Sequence, residues 1–283
     1  MENIIYSVKH NLVFISNPKV GCSTIKNSLL NREVDNVHIE VHQSQDFKLP
    51  ASASCPFFAL TRNPYSRALS AYKDKIGKSK NNVWLAFCKK YGFNENDKPS
   101  FFEFLTVLTK DANPQDMDPH YRPQVYNLHV EDIVPEFLGR LENMADVSEY
   151  LAPKGVLLKT YNKHARNASQ TYQQEITPQE EDLINKIYKD DFVKLGYEMS
   201  LNSSYVPPSL YNSQQVSERY MALFALNVVG LNADDLRDLA VANENVNIHK
   251  AYQLMDLAKL LRPNGPFIVK KHGEYYSKIN ALE

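Results

Sequence analysis

The sequence is poor in cysteine, with three in 283 residues, Cys22, Cys55 and Cys88. An odd number without close spacing supplies neither a disulfide framework nor a zinc-binding pattern, and it fits a reducing compartment. There is also no low-complexity tract and no internal repeat. The longest apolar stretch, residues 221–231, is too short to span a bilayer, so no transmembrane segment is expected. Nothing near Met1 reads as a signal peptide, because Lys9, His10 and Asn11 interrupt the apolar residues. A cytosolic (cytoplasmic) protein is expected, in which the sequons at Asn167 and Asn202 have no role. Excess charge of one sign is missing too: the net charge is −1, which argues against nucleic acid as a partner.

What charge there is lies unevenly. Residues 1–90 hold 13 Lys and Arg against 6 Asp and Glu, and the remainder holds 19 against 27. A basic amino-terminal part suits a small polyanionic ligand. The chain is otherwise of ordinary globular composition, 43% hydrophobic and 23% charged, enough to bury a core.

The amino-terminal pattern is that of an α/β protein. Residues 11–16 and 57–61 are short apolar runs ending at turn residues, as buried parallel strands do. Residues 36–42 alternate, with Val37, Ile39 and Val41 on one side, which predicts a strand between them. Helices are predicted over residues 23–31, with Ser23 or Thr24 as the cap, and after Asn63-Pro64, where Asn caps and Pro occupies the first turn. This order implies a parallel sheet with helices on its faces.

Beyond residue 84 the pattern is mainly helical. Helices are expected over Ser100–Lys110, over Ile133–Met144, and from the capping box Thr177-Pro178-Gln179-Glu180 to about Leu195, with a late strand at 156–158. Three further helical segments lie in 214–229, 233–241 and 247–261. The expected organisation is a domain over 1–199 and a helical C-terminal extension over 200–283.

Two strand-to-helix turns carry the chemistry. The first is Asn17-Pro18-Lys19-Val20-Gly21-Cys22-Ser23-Thr24; the second opens at Arg62-Asn63-Pro64 and continues through Arg67 to Ser70. At such turns a cation, hydroxyls and helix-start amides can converge on a phosphate-like group. Gly21 allows close backbone approach. Arg62 and Ser70, two helical turns apart, can face one anion, while Arg67 is either part of that site or a surface charge. The first turn lacks the Walker A spacing, since its Lys precedes its Gly, and it is not a Cys-x5-Arg loop, since Ser28 stands at the sixth place after Cys22.

Together the two segments resemble those of family 2 sulfotransferases, the group that includes Golgi carbohydrate sulfotransferases and bacterial relatives. Pro18-Lys19-Val20-Gly21-Cys22-Ser23 is similar to the family's 5′-phosphosulfate loop, and Arg62 through Lys75 to its 3′-phosphate segment. Fainter likenesses follow at Ser100–Leu105, Asp118–Gln124, Leu141-Glu142 and Ile187–Tyr197. The likeness covers roughly residues 11–198 and suggests a soluble, bacterial-type member with a P-loop-like sheet.

The resemblance implies 3′-phosphoadenosine 5′-phosphosulfate as donor, with no metal, and a carbohydrate or other hydroxyl-bearing acceptor. Lys19, Ser23, Thr24 and the backbone of Val20, Gly21 and Cys22 would hold the 5′-phosphosulfate. Arg62 and Ser70 would hold the 3′-phosphate. Lys19 would stabilise charge on the bridging oxygen in the transition state. His42, 23 residues after Lys19, is the first choice of base. Glu40 is placed to orient or replace it, and His120 is the runner-up. Residues 163–167 are a further candidate for the nucleotide site. The alternatives are a non-catalytic nucleotide- or glycan-binding module and a P-loop-type kinase.

Overall fold

The computed structural model describes residues 3–32, 34, 36–43, 55–77, 81–159, 172–229 and 231–281. These form two compact units, Met1–Gln215 and Val216–Glu283. Among the described residues no helix is long and apolar enough to cross a membrane.

Among the described residues six short strands lie wholly within the first unit: β1 (Ile4–Ser7), β2 (Leu12–Ile15), β3 (Phe57–Thr61), β4 (Ile133–Val134), β5 (Phe137–Arg140) and β6 (Leu210–Tyr211). All but β4 share one sheet in the order β1-β2-β3-β5-β6. The central three are parallel, with Phe14 opposite Phe58 and Phe58 opposite Phe137, and the edge strands β1 and β6 run antiparallel to their neighbours. Every residue of β2, β3 and β5 is buried, as expected of strands covered on both faces.

Ten helices accompany this sheet among the described residues: α1 (Cys22–Leu30), α2 (Val37–Gln43), α3 (Pro64–Ala71), α4 (Asn82–Tyr91), α5 (Phe101–Leu108), α6 (Gln124–Asn127), α7 (Met144–Leu151), α8 (Tyr172–Glu175), α9 (Pro178–Ile187) and α10 (Lys189–Leu195). The α/β architecture inferred from the sequence is therefore present. Asn63 caps α3 by accepting from the Tyr65 and Ser66 amides at 3.0 and 3.5 Å, with Pro64 in the first turn. Ser100 and Thr177 each close a capping box, with Glu103 and Glu180.

Four local expectations are corrected. Residues 37–43 are a helix, not a strand: Val37 and Val41, one turn apart, are 5% and 0% exposed, whereas Ile39 is 53% exposed. A Val-x-x-x-Val pair satisfies both periods over so short a span, and burial of the two valines beside Ile25 and Leu29 selects the helix. Residues 133–140 hold β4 and β5 rather than a helix, because the short buried run Phe137–Arg140 carries no period. Gly139 marks the tight fit of β5: a Cβ there would meet Phe137 and Val147 at 2.8 Å. Residues 156–158 form no strand, although Val156 is buried. The helix from Thr177 is interrupted at Tyr188, giving α9 and α10.

The first unit runs on to Gln215, past residue 199, because β6 adds to the sheet beside β5. The second unit consists of α11 (Glu218–Val229), α12 (Ala233–Asn243), α13 (Ile248–Leu261) and α14 (Pro266–Asn280). Leu236, Ala240, Ala251, Met255, Ile268 and Tyr275 form its core.

Candidate active site

The turn between β2 and α1 is held in an unusual backbone conformation. Lys19 has φ 70° and Gly21 φ 81°, and a Cβ on Gly21 would come within 3.0 Å of Leu141 Cδ1. Gly21, not Ser23 or Thr24, is the N-cap of α1, and no side chain caps it. The Ile25 amide donates to the Gly21 carbonyl at 3.2 Å, so the amides of Cys22, Ser23 and Thr24 are the helix-start donors that lack an intrahelical partner. Both hydroxyls are thereby released from capping, at the positive end of the helix dipole.

Cations surround this turn. Lys26, one turn along α1, is 4% exposed. Lys19 Nζ lies 3.0 Å from Asp74 Oδ2, which also pairs with Lys75 at 3.4 Å. Asp74 and Lys75 sit on a π-helical turn, Tyr72–Ile76, that continues α3 and is closed by the Gly77 amide donating to the Tyr72 carbonyl. Burial pushes Lys19 and Lys26 below the ordinary lysine range, with Asp74 opposing the shift at Lys19.

The second turn is bolted to the first. Arg62 is 6% exposed; its guanidinium donates to the Lys19 carbonyl at 3.1 Å and to Ser66 Oγ at 2.9 Å, both uncharged oxygens. Burial lowers its pKa, opposed by Glu142. A buried guanidinium, two depressed lysines and a helix start together fit an anion.

Arg67 is not a surface charge. It is 1% exposed, and its guanidinium donates to the carbonyls of Pro18, Arg122 and Pro119 at 3.1, 2.8 and 3.1 Å. One side chain thus fixes the Lys19 turn against the 118–122 turn. Gln124 adds to this: Oε1 accepts from the Asn17 side chain and the Arg62 amide at 3.0 Å each, and Nε2 donates to the Arg62 carbonyl at 2.8 Å. Asp191 in turn accepts from the amides of Gln124 and Val125 at 2.8 and 3.0 Å.

The 118–122 turn carries His120. Asp118 Oδ1 accepts from its backbone amide at 2.9 Å and from Nδ1 at 2.7 Å. Burial pushes the Asp118 carboxyl up, but the hydrogen bonds from His120 outweigh that and hold it below the usual carboxylate range. An ionised carboxylate only accepts, so Nδ1 carries a proton, and in the neutral ring it is Nε2 that presents the lone pair. Arg67 donates to the carbonyls of both Pro18 and Pro119, the residues before Lys19 and His120, and so ties the two turns together.

The structure joins Arg62 to the Lys19 carbonyl, while Ser23 bonds to His38 and His120 to Asp118. Thr24 and Ser70 are half-buried, and their side chains bond to none of the other candidates among the described residues. His42 lies on α2, but its side chain is outside the described residues, as are residues 163–167. Glu40 pairs with Arg32. Sequence reasoning missed Lys26 and His38: Ser23 Oγ is 3.3 Å from His38 Nε2, and Lys26 Nζ is 3.0 Å from His38 Nδ1. The spacing of Ser23 and Lys26, three apart on a predicted helix, was the available signal.

Two cation-bearing turns thus stand at the ends of the adjacent parallel strands β2 and β3. The sequence model of the Sulfotransferase family matches residues 2–198, and the chain belongs to that family. Among similar proteins, carbohydrate sulfotransferase 11 of Rattus norvegicus is 25% identical over 242 residues, 70% of this chain and 67% of its own length. Carbohydrate sulfotransferase 14 of Danio rerio is 26% identical over 181 residues, covering 53% of this chain and 47% of its own. Carbohydrate sulfotransferase 9 of Homo sapiens is 23% identical over 237 residues, covering 70% and 53%. No solved structure gives a significant match.

Proposed function

We propose that the protein transfers a sulfuryl group from 3′-phosphoadenosine 5′-phosphosulfate to a hydroxyl of a carbohydrate. The observation that carries this reading is the buried Arg62 guanidinium donating to the Lys19 carbonyl, which sets two cationic turns side by side. Arg62, with Ser70 further along α3, receives the 3′-phosphate. Lys19, the Ser23 and Thr24 hydroxyls and the amides from Val20 to Thr24 receive the 5′ end. The carbohydrate acceptor is supported by the names of the three relatives.

The chain's own groups supply the needed chemistry. His120 Nε2, its tautomer set by Asp118, takes the acceptor hydroxyl's proton. Lys19 Nζ faces the charge that grows on the leaving phosphate oxygen; such a placed cation lowers the barrier by about 3–4 kcal/mol. These side-chain cations take the part a divalent metal plays in phosphoryl transfer, so turnover is expected to persist in EDTA.

The test is transfer of labelled sulfate from the donor to a panel of desulfated glycosaminoglycans and neutral glycans, in EDTA. Label on one or more glycans supports the reading. Binding of donor nucleotide and glycan with no transfer would favour a binding module instead.

A further inference from the structure

The two histidines near the first turn are held in opposite tautomers. At His120 a carboxylate accepts from Nδ1. At His38 an ammonium occupies the same position: Lys26 Nζ is 3.0 Å from Nδ1. An ammonium has three donors and no acceptor, so Nδ1 of His38 accepts, and the ring proton resides on Nε2. Nε2–H is then the donor to Ser23 Oγ at 3.3 Å. Ser23 Oγ receives that bond, and its own O–H is left to point elsewhere. The three groups belong to α1 and α2, which the buried Val37 and Val41 dock onto Ile25 and Leu29.

We propose that Lys26, His38 and Ser23 form a hydrogen-bond relay that fixes the Ser23 hydroxyl as a donor to the 5′-phosphate of the bound nucleotide, with His38 as a positioning residue. The proposal rests on the donor-site reading given above. Without the relay a serine hydroxyl rotates freely and presents donor or lone pair alike; with it, only the donor faces the anion. Buried Lys26 acts through the ring and not by reaching the ligand. His38, being exposed, sits where α2 meets the turn, and neither of its nitrogens is left to serve as a base.

The relay is tested by titrating the full chain with adenosine 3′,5′-bisphosphate and, in parallel, with adenosine 3′-monophosphate, which lacks the 5′-phosphate. His38→Ala and Ser23→Ala are each expected to weaken bisphosphate binding about tenfold, the scale of one hydrogen bond to a charged group. The double variant is expected to lose little more than either single one, since one unit is removed either way. His38→Gln, whose amide donates from nearly the position of Nε2–H, is expected to recover most of the loss. Binding of the 3′-monophosphate is expected to stay unchanged throughout, which a merely misfolded turn would not allow.

Losses that multiply in the double variant, bisphosphate affinity unaffected by His38→Ala, or an equal loss for both nucleotides would each overturn the relay while leaving the donor site standing. Failure of the unmodified protein to bind the bisphosphate would overturn the donor-site reading itself, and the relay with it.

Discussion

Lys19 and Asp74, 55 positions apart, form a 3.0 Å ion pair beside the first turn. The aspartate reaches the lysine because α3 relaxes into a π-helical turn at Tyr72–Ile76, a device that re-aims side chains near functional sites. The pair holds the Lys19 ammonium at the mouth of the turn while leaving it open to exchange for a phosphate oxygen. Lys19→Ala is expected to lower kcat by roughly 10²–10³-fold, with the melting temperature essentially unchanged. Asp74→Asn removes the competing carboxylate and is expected to tighten nucleotide binding severalfold in calorimetry. Near-normal turnover in Lys19→Ala would take that lysine out of the chemistry.

Arg67 is expected to matter to both stability and activity. Its removal orphans the carbonyls of Pro18 and Arg122, leaves that of Pro119 to Asn127 alone, and leaves the fully buried Asp191 without its nearby cation. Arg67→Ala is expected to cost about 3–5 kcal/mol in denaturant unfolding. Arg67→Lys, a point charge in place of a fork, reaches at most part of the three carbonyls and is expected to restore little. Recovery of full stability by lysine would contradict the clamp.

His120→Ala is expected to reduce kcat by about 10²–10⁴-fold with nucleotide affinity retained. Asp118→Asn, which no longer enforces Nδ1–H, is expected to fall between the wild type and His120→Ala. His42→Ala is the matched control, since His42 stands one turn beyond His38 on α2. A large loss there with an unaffected His120→Ala would move the base to α2.

His129 gives a pH signature of folding. It is held at φ 52°, with Nε2 3.3 Å from Asn3 Oδ1. Burial, reinforced by Arg122, pushes its pKa from 6.5 down to about 4. The unfolded chain therefore takes up a proton before the folded one does, and stability is lost as pH falls from about 6.5 to 4. His129→Asn, which tolerates positive φ, is expected to flatten this part of the melting-temperature profile. An unchanged slope would show that another group is responsible.

What the sequence discloses here is local. The runs of β2 and β3, the Asn63-Pro64 start of α3 and the capping boxes at Ser100 and Thr177 each lie within a few residues, and all are present. What it conceals depends on distant partners. α2 and β5 are short segments whose patterns fit either period, and only their packing against α1 and α7 decides between them. Lys19, Ser23 and Arg62 stand out because cations and hydroxyls at strand ends are conspicuous. Arg67 looks like any surface arginine until its three carbonyl partners, up to 55 positions away, are known. His38 escaped for a related reason: on a strand it would have shared a face with His42 and Glu40, whereas the helix turns it to Ser23 and Lys26.

The most direct test of the donor site is calorimetric titration of the protein in EDTA with adenosine 3′,5′-bisphosphate, with 5′-AMP as comparison. If Arg62 receives the 3′-phosphate, the bisphosphate binds at least tenfold more tightly than 5′-AMP, the worth of a charge-assisted contact. Equal binding of the two, or none, would mean that Arg62 and Ser70 hold no 3′-phosphate and that the donor assignment is wrong.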